Sequence, residues 1–289
     1  MSGGNDVIRL TAKTKVLGII GHPVKHSLSP IMQNAAFATC GLDYVYVSFD
    51  VPPDSLERAV DGLRSLGVAG FNVTVPHKVE IVRFLDALDE TAEIAGSVNT
   101  VHNCEGRLTG YNTDGDGFVR SLREDLEFSP GSDLIVLGGA GGAARGALAA
   151  ICRAGAKHVA VVNRTLEKAQ DLASYMGDRY TGTEIIPVAL SGEISSYLAQ
   201  ASLFVNTTSI GMKNEKIPFV HVEEMAAHTK VYDMVYSPKI TPLLRESNAR
   251  GLACANGIGM LVAQGELAFS IWTGSVSPYG IMKGAIATS

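Results

Sequence analysis

Short apolar and β-branched runs alternate along the chain with longer amphipathic stretches. The first series predicts strands over Val16–Ile20, Tyr44–Asp50 and Gly70–Val75, and helices over Pro30–Cys40 and Pro53–Leu66. After Gly131 a second series predicts strands over Leu134–Leu137, His158–Val162, Glu184–Pro187, Leu203–Asn206 and Val231–Met234, and helices over Ala143–Ala154 and Met260–Trp272. Alternating strands and helices are typical of βαβ units, so the sequence predicts an α/β fold with parallel sheets.

Chain length and one turn-forming segment indicate how these elements divide into domains. At roughly 150 residues per domain, a chain of 289 residues favours two domains. The run N-T-D-G-D-G predicts a hinge over Asn112–Asp116, and we expect a second crossing near Asn256–Gly259. The last predicted helix would then return to the first domain. We therefore expect one domain from residues 1–113 and 257–289, and another from residues 114–256.

Composition and charge exclude several classes of protein. The chain is 46% hydrophobic and 18% charged, with 24 Lys and Arg against 29 Asp and Glu, and has no run of consecutive basic residues. A nucleic acid is therefore not an expected partner. The segment Met1–Lys15 lacks the apolar core of a secretory signal, and the apolar stretch Leu134–Ala156 is interrupted by Arg145 and Arg153. We expect no membrane span and a cytosolic location.

The four cysteines are scattered along the chain, with no C-x-x-C pair and no neighbouring histidine at metal-ligand spacing. They are Cys40, Cys104, Cys152 and Cys254. This pattern predicts reduced, mostly buried thiols and no metal site.

A glycine-rich segment, L-G-G-A-G-G-A-A-R-G, lies between a predicted strand and a predicted helix. Gly139, Gly141 and Ala144 fit the pattern G-x-G-x-x-A, in which the glycines allow a tight turn and close approach of a pyrophosphate. N–H groups at the helix N-terminus would bind the same phosphates. Glycine and alanine also pack helices on strands for structural reasons, so the motif alone leaves that alternative open. The predicted cofactor-binding residues of this loop are Gly139, Ala140, Gly141, Gly142 and Ala143.

The end of the next predicted strand indicates which dinucleotide would bind. An NAD site usually has an Asp or Glu there, but this chain has Asn163, Arg164 and Thr165, with Lys168 following. Cationic side chains suit the 2′-phosphate of NADP. Arg164 and Lys168 could instead decorate a solvated helix start. Combined with the glycine loop, the phosphate-binding interpretation is favoured.

Polar residues also stand in loops elsewhere in the chain. The hydroxyls of Ser27 and Ser29 suit a carboxylate ligand, although on their own they favour a helix cap. A lysine after a strand is usually a solvated surface residue, and short polar side chains in loops can be ordinary turns. The residues concerned are Ser27, Ser29, Thr74, Lys78, Asn99 and Asp114.

Together these motifs resemble the shikimate dehydrogenase family, which includes quinate/shikimate dehydrogenases. They follow the family order almost from end to end: S-L-S-P, N-V-T-V-P-H-K, G-S-V-N-T, N-T-D-G, G-G-A-G-G-A, N-R-T, Y-D-M-V-Y and N-G-I-G-M-L-V-A-Q. The resemblance implies an α/β substrate domain built from both chain ends and a Rossmann-type dinucleotide-binding domain between them. It also implies reversible NADP-linked reduction of 3-dehydroshikimate to shikimate, a step of aromatic amino acid biosynthesis.

The resemblance further implies roles for single residues. Lys78 and Asp114 match the family's catalytic pair beside the reacting hydroxyl. Gln33 stands where many relatives have His, so no role is implied there. The other matched residues are Ser27, Ser29 and Tyr236 for the substrate carboxylate, Thr74, Asn99 and Gln264 for the ring hydroxyls, and Met234 and Gly257 near the nicotinamide.

The implied chemistry requires a group that exchanges one proton. Lys78 can accept a proton only when it is neutral, whereas Asp114 beside it would favour the ammonium form, so the two must be treated as a coupled pair. Two alternatives stay open: a quinate-using or NAD-using relative, and a non-catalytic dinucleotide-binding sensor. Serines at both 27 and 29 favour shikimate, and intact Lys78 and Asp114 argue against the sensor. The chain would be a monomer or a homodimer.

Overall fold

The computed structural model of the protein describes residues 10–190, 194–278 and 280–287. Most of the segment Met1–Lys15, for which we predicted no secretory signal, lies outside these ranges. The chain divides into two compact units. The first contains the chain up to Asn112 together with the part from Gly265 onward, and the second is Thr113–Gln264. Each unit has its own sheet.

The first unit is built on a mixed six-stranded sheet in the order β2-β1-β3-β5-β6-β4. Its strands are β1 (Lys15–Gly21), β2 (Tyr44–Asp50), β3 (Gly70–Val73), β4 (Ala87–Leu88), β5 (Thr100–Cys104) and β6 (Arg107–Tyr111). Its helices before residue 112 are α1 (Ser29–Thr39), α2 (Leu56–Ser65) and α3 (Glu90–Ala95). The predicted helix over Pro53–Leu66 is thus a 3-10 turn, Pro53–Ser55, followed by α2.

The prediction of parallel sheets holds only in part for this unit, whose sheet is mixed. β1 runs parallel to β2 and β3, but β5 is antiparallel to both β3 and β6. Only Glu105 and Gly106 separate β5 from β6, and both have positive φ, at 53° and 89°. A two-residue connection of this kind forms a tight hairpin, which forces the two strands to run in opposite directions.

The second unit contains a fully parallel six-stranded sheet in the order β12-β11-β10-β7-β8-β9. Its strands are β7 (Leu134–Gly138), β8 (His158–Val162), β9 (Glu184–Val188), β10 (Leu203–Asn206), β11 (Lys230–Asp233) and β12 (Cys254–Asn256). The helices from residue 114 onward are α4 (Asp114–Leu126), α5 (Gly142–Arg153), α6 (Leu166–Gly177), α7 (Ile194–Gln200), α8 (Pro242–Ala249), α9 (Ile258–Thr273) and α10 (Ile281–Ala287). The division between the units falls within α9, and α10 belongs to the first unit.

Continuous apolar runs explain why the second sheet is parallel and covered on both faces. Ile135–Leu137, Val159–Val162 and Leu203–Val205 are fully buried along their length. A strand that is buried on one face only would alternate apolar and polar residues, whereas these strands do not. The predicted α/β fold class, with a Rossmann-type sheet in the second unit, is confirmed.

The division between the units falls between Asn112 and Thr113, within the segment predicted as a hinge, but from Asp114 onward this segment is a helix and not a turn. α4 starts at Asp114 and includes both glycines of N-T-D-G-D-G. A Cβ at Gly115 would lie 2.9 Å from the Ala150 Cβ, and one at Gly117 would lie 2.8 Å from the Gln264 backbone N. The glycines therefore permit close packing of α4 against α5 and α9, and they are not turn residues.

Two further sequence expectations can be compared with the structure. All four cysteines are free, but Cys40 and Cys104 are exposed, so the prediction of mostly buried thiols is wrong for these two. Both stand at the end of an element, where the chain reaches the surface: Cys40 follows α1, and Cys104 ends β5 beside the hairpin turn.

No helix within the described ranges is long and apolar enough to cross a membrane.

Trp272 packs directly on the backbone of Gly70 in the core of the first unit. Its indole Nε1 donates to the Val101 carbonyl at 2.9 Å, and the side chain is 6% exposed. A Cβ at Gly70 would lie 2.4 Å from the Trp272 Nε1 and 2.7 Å from the same carbonyl oxygen. Only a glycine at residue 70 therefore leaves room for the indole against β3.

We predict that Gly70→Ala displaces Trp272 and lowers the free energy of unfolding by about 1–3 kcal/mol, because it overpacks a filled core. Thermal or urea unfolding measures the change. Gly62→Ala is the matched control, since Gly62 lies inside α2 and a Cβ there would meet nothing within 4 Å. Alanine at 62 should leave stability unchanged or raise it by up to about 1 kcal/mol. Equal stability of the two variants would contradict the prediction.

Candidate functional site

The predicted cofactor-binding residues all follow the carboxyl ends of strands in the parallel sheet of the second unit. In its strand order, β7 is central, with β8 and β9 on one side and β10, β11 and β12 on the other. Connections therefore leave β7 and β10 in opposite directions, which opens a crevice at the carboxyl edge between them. The glycine loop follows β7 at this point.

Gly139 has a structural reason to be glycine. Its φ of +119° lies in a region that side chains disfavour, and its N–H donates to the Val162 carbonyl at 2.8 Å. A Cβ there would lie 2.5 Å from the Thr207 Oγ1, which itself donates to the Gly138 carbonyl at 2.8 Å. The loop after β7 thus rests directly on the loop after β10.

No contact within the protein requires glycine at residues 141 and 142. A Cβ at either position would meet nothing within 4 Å, and both residues are exposed. Gly141 is the N-cap of α5, and no side chain caps the helix there. The first N–H groups of α5 therefore have no capping side chain, and they stand at the positive end of the helix, which suits an anion such as a pyrophosphate.

A cavity of about 380 Å³ lies over this loop. Nine of its lining residues are the ones predicted from the glycine loop and from the residues that follow β8: Gly139, Ala140, Gly141, Gly142, Ala143, Asn163, Arg164, Thr165 and Lys168. Three lining residues were missed: Thr207, Thr208 and Ser209. They follow β10 as the run T-T-S, so a polar run directly after a correctly predicted strand was the available signal.

The side of the cavity that follows β8 carries positive charge. Arg164, Thr165 and Lys168 are exposed, and the Asn163 Nδ2 donates to the Thr165 carbonyl at 2.8 Å. This bond shapes the turn that leads into α6. Two cations and a hydroxyl are suitable partners for a phosphate group.

Met234 and Gly257 lie against each other in the second unit. A Cβ at Gly257 would lie 2.2 Å from the Met234 carbonyl oxygen, so only glycine allows the chain to pass here. Tyr236 follows in the loop after β11 and is half-buried. Gln264 lies on α9 and is buried, with its Nε2 donating to the Leu261 carbonyl at 2.7 Å.

In the first unit, the predicted substrate-binding residues stand near one edge of the mixed sheet. β1 and β3 are parallel, so their carboxyl ends meet at this edge, where Ile20 is paired with Val73. β5 begins at the same edge because it is antiparallel to β3 and pairs Thr100 with Asn72. The predicted residues that follow β1 or β3 are Ser27, Ser29, Thr74 and Lys78, and Asn99 immediately precedes β5.

Backbone hydrogen bonds join the loops at this edge. The Val98 N–H donates to the Lys78 carbonyl at 2.8 Å, and the Val73 N–H donates to the Asn99 carbonyl at 2.8 Å. The segments that carry Lys78 and Asn99 are therefore held side by side. Asp114 lies in the second unit, as the first residue of α4.

Ser29 is not the cap of its helix. α1 begins at Ser29 itself, and the N-cap residue Leu28 makes no side-chain cap. The Ser27 Oγ accepts a weak hydrogen bond from the Ser29 N–H at 3.3 Å. Burial raises the pKa of the Tyr46 phenol well above its usual value, and a hydrogen bond with Ser29 offsets part of that rise. Ser29 is thus buried against a neutral phenol.

A buried polar chain that sequence analysis missed orients Asn99. The Tyr46 hydroxyl donates to the Asn72 Oδ1 at 2.6 Å, and the Asn72 Nδ2 donates to the Thr100 Oγ1 at 3.0 Å. The Thr100 hydroxyl donates in turn to the Asn99 Oδ1 at 3.0 Å. Satisfied networks of this kind fix side-chain orientation.

No group of three or more potential metal ligands is found among the described residues.

Comparison with protein families identifies matching models along most of the chain. Residues 19–101 match the shikimate dehydrogenase substrate binding domain. Residues 127–238 match shikimate / quinate 5-dehydrogenase, and residues 257–286 match the shikimate 5′-dehydrogenase C-terminal domain.

Individual relatives agree with these matches over nearly the whole length. The shikimate dehydrogenase (NADP(+)) of Geobacter metallireducens is 50% identical over 275 residues, which are 95% of this chain and 96% of the relative. A crystal structure of a shikimate dehydrogenase in complex with NADP⁺ is 40% identical, with a TM-score of 0.89 and 97% of each chain covered. A quinate dehydrogenase from Corynebacterium glutamicum in complex with NAD is 30% identical, with a TM-score of 0.88 over 96% of this chain and 99% of that one. The resemblance inferred from the motifs is thus confirmed, and the chain belongs to the shikimate dehydrogenase family.

Proposed function

We propose that this protein is an NADP-dependent oxidoreductase that reversibly reduces 3-dehydroshikimate to shikimate, in aromatic amino acid biosynthesis. The observation that carries the proposal is the cavity over the glycine loop, which has an uncapped helix end and a cationic side. The chain that contains it is 50% identical to a shikimate dehydrogenase (NADP(+)). An absorbance assay of nicotinamide reduction tests it, with shikimate or quinate and with NADP or NAD.

The residues of the second unit suit a dinucleotide phosphate. The open space over Gly141 and Gly142 leaves room for a pyrophosphate, and the α5 N–H groups would bind it. Arg164, Thr165 and Lys168 would hold the 2′-phosphate. Bound NADP supplies the nicotinamide ring that exchanges a hydride with the carbon of the reacting hydroxyl.

The substrate would be held by uncharged polar side chains. Ser27, Ser29 and Tyr236 are proposed to bind its carboxylate, and Thr74, Asn99 and Gln264 its ring hydroxyls. Support comes from the polar chain that orients Asn99 and from the common sheet edge of the first-unit residues. A pre-oriented amide reduces the entropy that binding would otherwise cost.

Lys78 and Asp114 are proposed to handle the proton. During oxidation of shikimate, the hydroxyl loses its proton as the hydride leaves the same carbon, and the neutral amine of Lys78 would accept that proton. Asp114 would stabilise the ammonium that results. In the opposite direction the ammonium returns the proton to the ketone oxygen.

Two alternatives are distinguished by the same assay. A quinate dehydrogenase that uses NAD would turn over quinate faster than shikimate, and the related Corynebacterium glutamicum protein shows that the fold supports a quinate dehydrogenase. A non-catalytic sensor would bind dinucleotide and turn over neither substrate. We favour shikimate and NADP because of the serines at 27 and 29 and the cations at 164 and 168. The cytosolic location and the monomeric or homodimeric state stay predictions.

We predict that Lys78→Met lowers kcat on shikimate by about 10²- to 10⁴-fold, the usual size of a general acid–base contribution. KM should change much less, because the side chain acts on the proton in transit. Steady-state kinetics at saturating NADP measures both constants.

Two further variants sharpen this test. Lys78→Arg keeps a positive charge but holds its proton at neutral pH, so it should be as inactive as Lys78→Met. Lys13→Met, in an exposed loop of the same unit, should retain full activity. If Lys78→Met keeps more than about half of kcat, Lys78 is a surface lysine and the proposed proton transfer is wrong.

We predict that the protein prefers NADP to NAD by about 10- to 150-fold, which corresponds to about 1.5–3 kcal/mol for a charge-assisted contact. Arg164→Ala should remove most of this preference, and Arg164→Asp should favour NAD by repelling the 2′-phosphate. The measurement is kcat/KM for both cofactors. Arg123→Ala, exposed on α4, is the control and should change neither value. Equal use of both cofactors by the unaltered protein would refute the proposed role of Arg164.

The two kinds of glycine in the loop yield a separate prediction. Gly141→Ala should change the free energy of unfolding by less than about 0.5 kcal/mol, because its Cβ meets open space, yet it should weaken NADP binding by obstructing the pyrophosphate. Gly139→Ala should lower stability by about 1–3 kcal/mol through its positive φ and its contact with Thr207. Thermal unfolding and calorimetric NADP titration measure the two effects. Loss of stability in Gly141→Ala would show that the glycine has a structural role instead.

A further inference from the structure

Asp233, the last residue of β11, carries a fully buried carboxylate for which the family resemblance implied no role. Its Oδ1 accepts from the Asn206 Nδ2 at 2.9 Å and from the Val235 N–H at 3.0 Å, and its Oδ2 accepts from the Thr241 hydroxyl at 2.6 Å. An ionised carboxylate accepts hydrogen bonds only, and all three partners are donors. Asp233 therefore joins the end of β10, the end of β11 and the start of α8.

Asn206, which donates to Asp233, also hydrogen-bonds the loop that follows β10. Its Oδ1 accepts from the Thr208 N–H at 3.0 Å and from the Thr208 hydroxyl at 2.7 Å, and its Nδ2 also donates to the Ile210 carbonyl at 3.0 Å. The intervening Thr207 bonds the Gly138 carbonyl through both its N–H and its hydroxyl, at 2.9 and 2.8 Å. Residues 207–209 line the cavity, and within this segment the Asn206 side chain holds Thr208 directly.

The hydrogen bond from the Val235 N–H to Asp233 also fixes the backbone at Met234. The bond from Val235 back to the Asp233 side chain closes a tight turn, in which the Met234 N–H also donates to the Asn206 carbonyl at 3.0 Å. The carbonyl of Met234 packs against Gly257. One carboxylate thus holds two loops at the carboxyl edge of the sheet, one on each of two adjacent strands.

A buried carboxylate is an expensive way to stabilise a core. Burial raises the pKa of Asp233, and the hydrogen bonds from Thr241, Val235 and Asn206 offset part of that rise. Apolar residues of similar volume commonly stabilise a fold as well as a buried charge does. What apolar side chains lack is directionality, and here directionality sets the path of two loops beside the cofactor cavity.

We propose that Asp233 is a positioning residue for NADP: it holds residues 207–209 and Met234 in the arrangement that binds the cofactor. This inference rests on the proposed cofactor site. It predicts that weakening the Asp233 hydrogen bonds impairs NADP binding more than an equal loss of stability elsewhere in the unit would.

Thr241→Val is the first test, because it removes the 2.6 Å donor while nearly preserving shape. Thr229→Val is the matched control. The Thr229 hydroxyl is 1% exposed and donates to the Ala201 carbonyl at 2.7 Å, and it ties together the segments that precede the same two strands, β10 and β11. Each variant therefore removes one buried hydroxyl, at opposite ends of one strand pair. Thr241→Val also removes the N-cap of α8, where the Thr241 Oγ1 accepts from the Leu244 N–H at 3.4 Å. The readouts are the Kd for NADPH by fluorescence titration, the KM for shikimate and the thermal midpoint.

We expect Thr241→Val to raise the Kd for NADPH about tenfold or more, by analogy with loss of a hydrogen bond to a charged group. Thr229→Val should also lower the thermal midpoint, but it should change that Kd less than about twofold. Thr241→Ser, which retains the hydroxyl, should bind NADPH normally. Asp233→Asn should weaken binding in the same direction, and it serves if Thr241→Val does not fold.

The positioning role is wrong if Thr241→Val and Thr229→Val raise the Kd equally, or if neither changes it. Arg164→Ala separates that failure from failure of the proposed function. If Arg164→Ala loses its preference for NADP and Thr241→Val binds normally, the cofactor site stands and only the role of Asp233 is refuted. If Arg164→Ala leaves the preference intact, the cofactor site on which this inference rests is itself refuted.

Discussion

Contact between the loop after β7 and the loop after β10 is the constraint on which the second unit depends. The Thr207 hydroxyl lies where a side chain at residue 139 would lie, so the two loops can meet only at a glycine. Their meeting lies at the crevice of the parallel sheet, beside the start of α5, which no side chain caps. Both residues of this contact line the cavity.

The same device, glycine at a point of close approach, recurs in both units. Gly70 admits an indole in the first unit, while Gly115, Gly117 and Gly257 bring helices or loops together in the second. In each case a neighbouring group fills the space that a side chain at the glycine would need, as expected in interiors packed at crystal density. Close contacts at glycine positions are therefore found both in the core and at the candidate site.

Local pattern predicted much of this architecture. The strands Tyr44–Asp50, His158–Val162 and Leu203–Asn206 have the predicted bounds, and the glycine loop lies where its motif indicated. The failures were long-range. Gly115 was interpreted as a turn residue because its partner Ala150 is remote in sequence, and Asp233 was passed over because the partners of a buried carboxylate appear only after folding. Sequence motifs indicated the residues that suit a ligand, and missed those that hold them.

The glycine loop contains residues under two different kinds of selection. Gly139 is required by the folded chain itself, whereas Gly141 borders empty space and is required only by what enters that space. A descendant that gave up its cofactor could therefore acquire a side chain at 141 at once, while 139 would stay glycine for as long as the fold persisted. A side chain at residue 141 would therefore affect what binds in that space and leave the fold intact, whereas one at residue 139 would affect the fold itself.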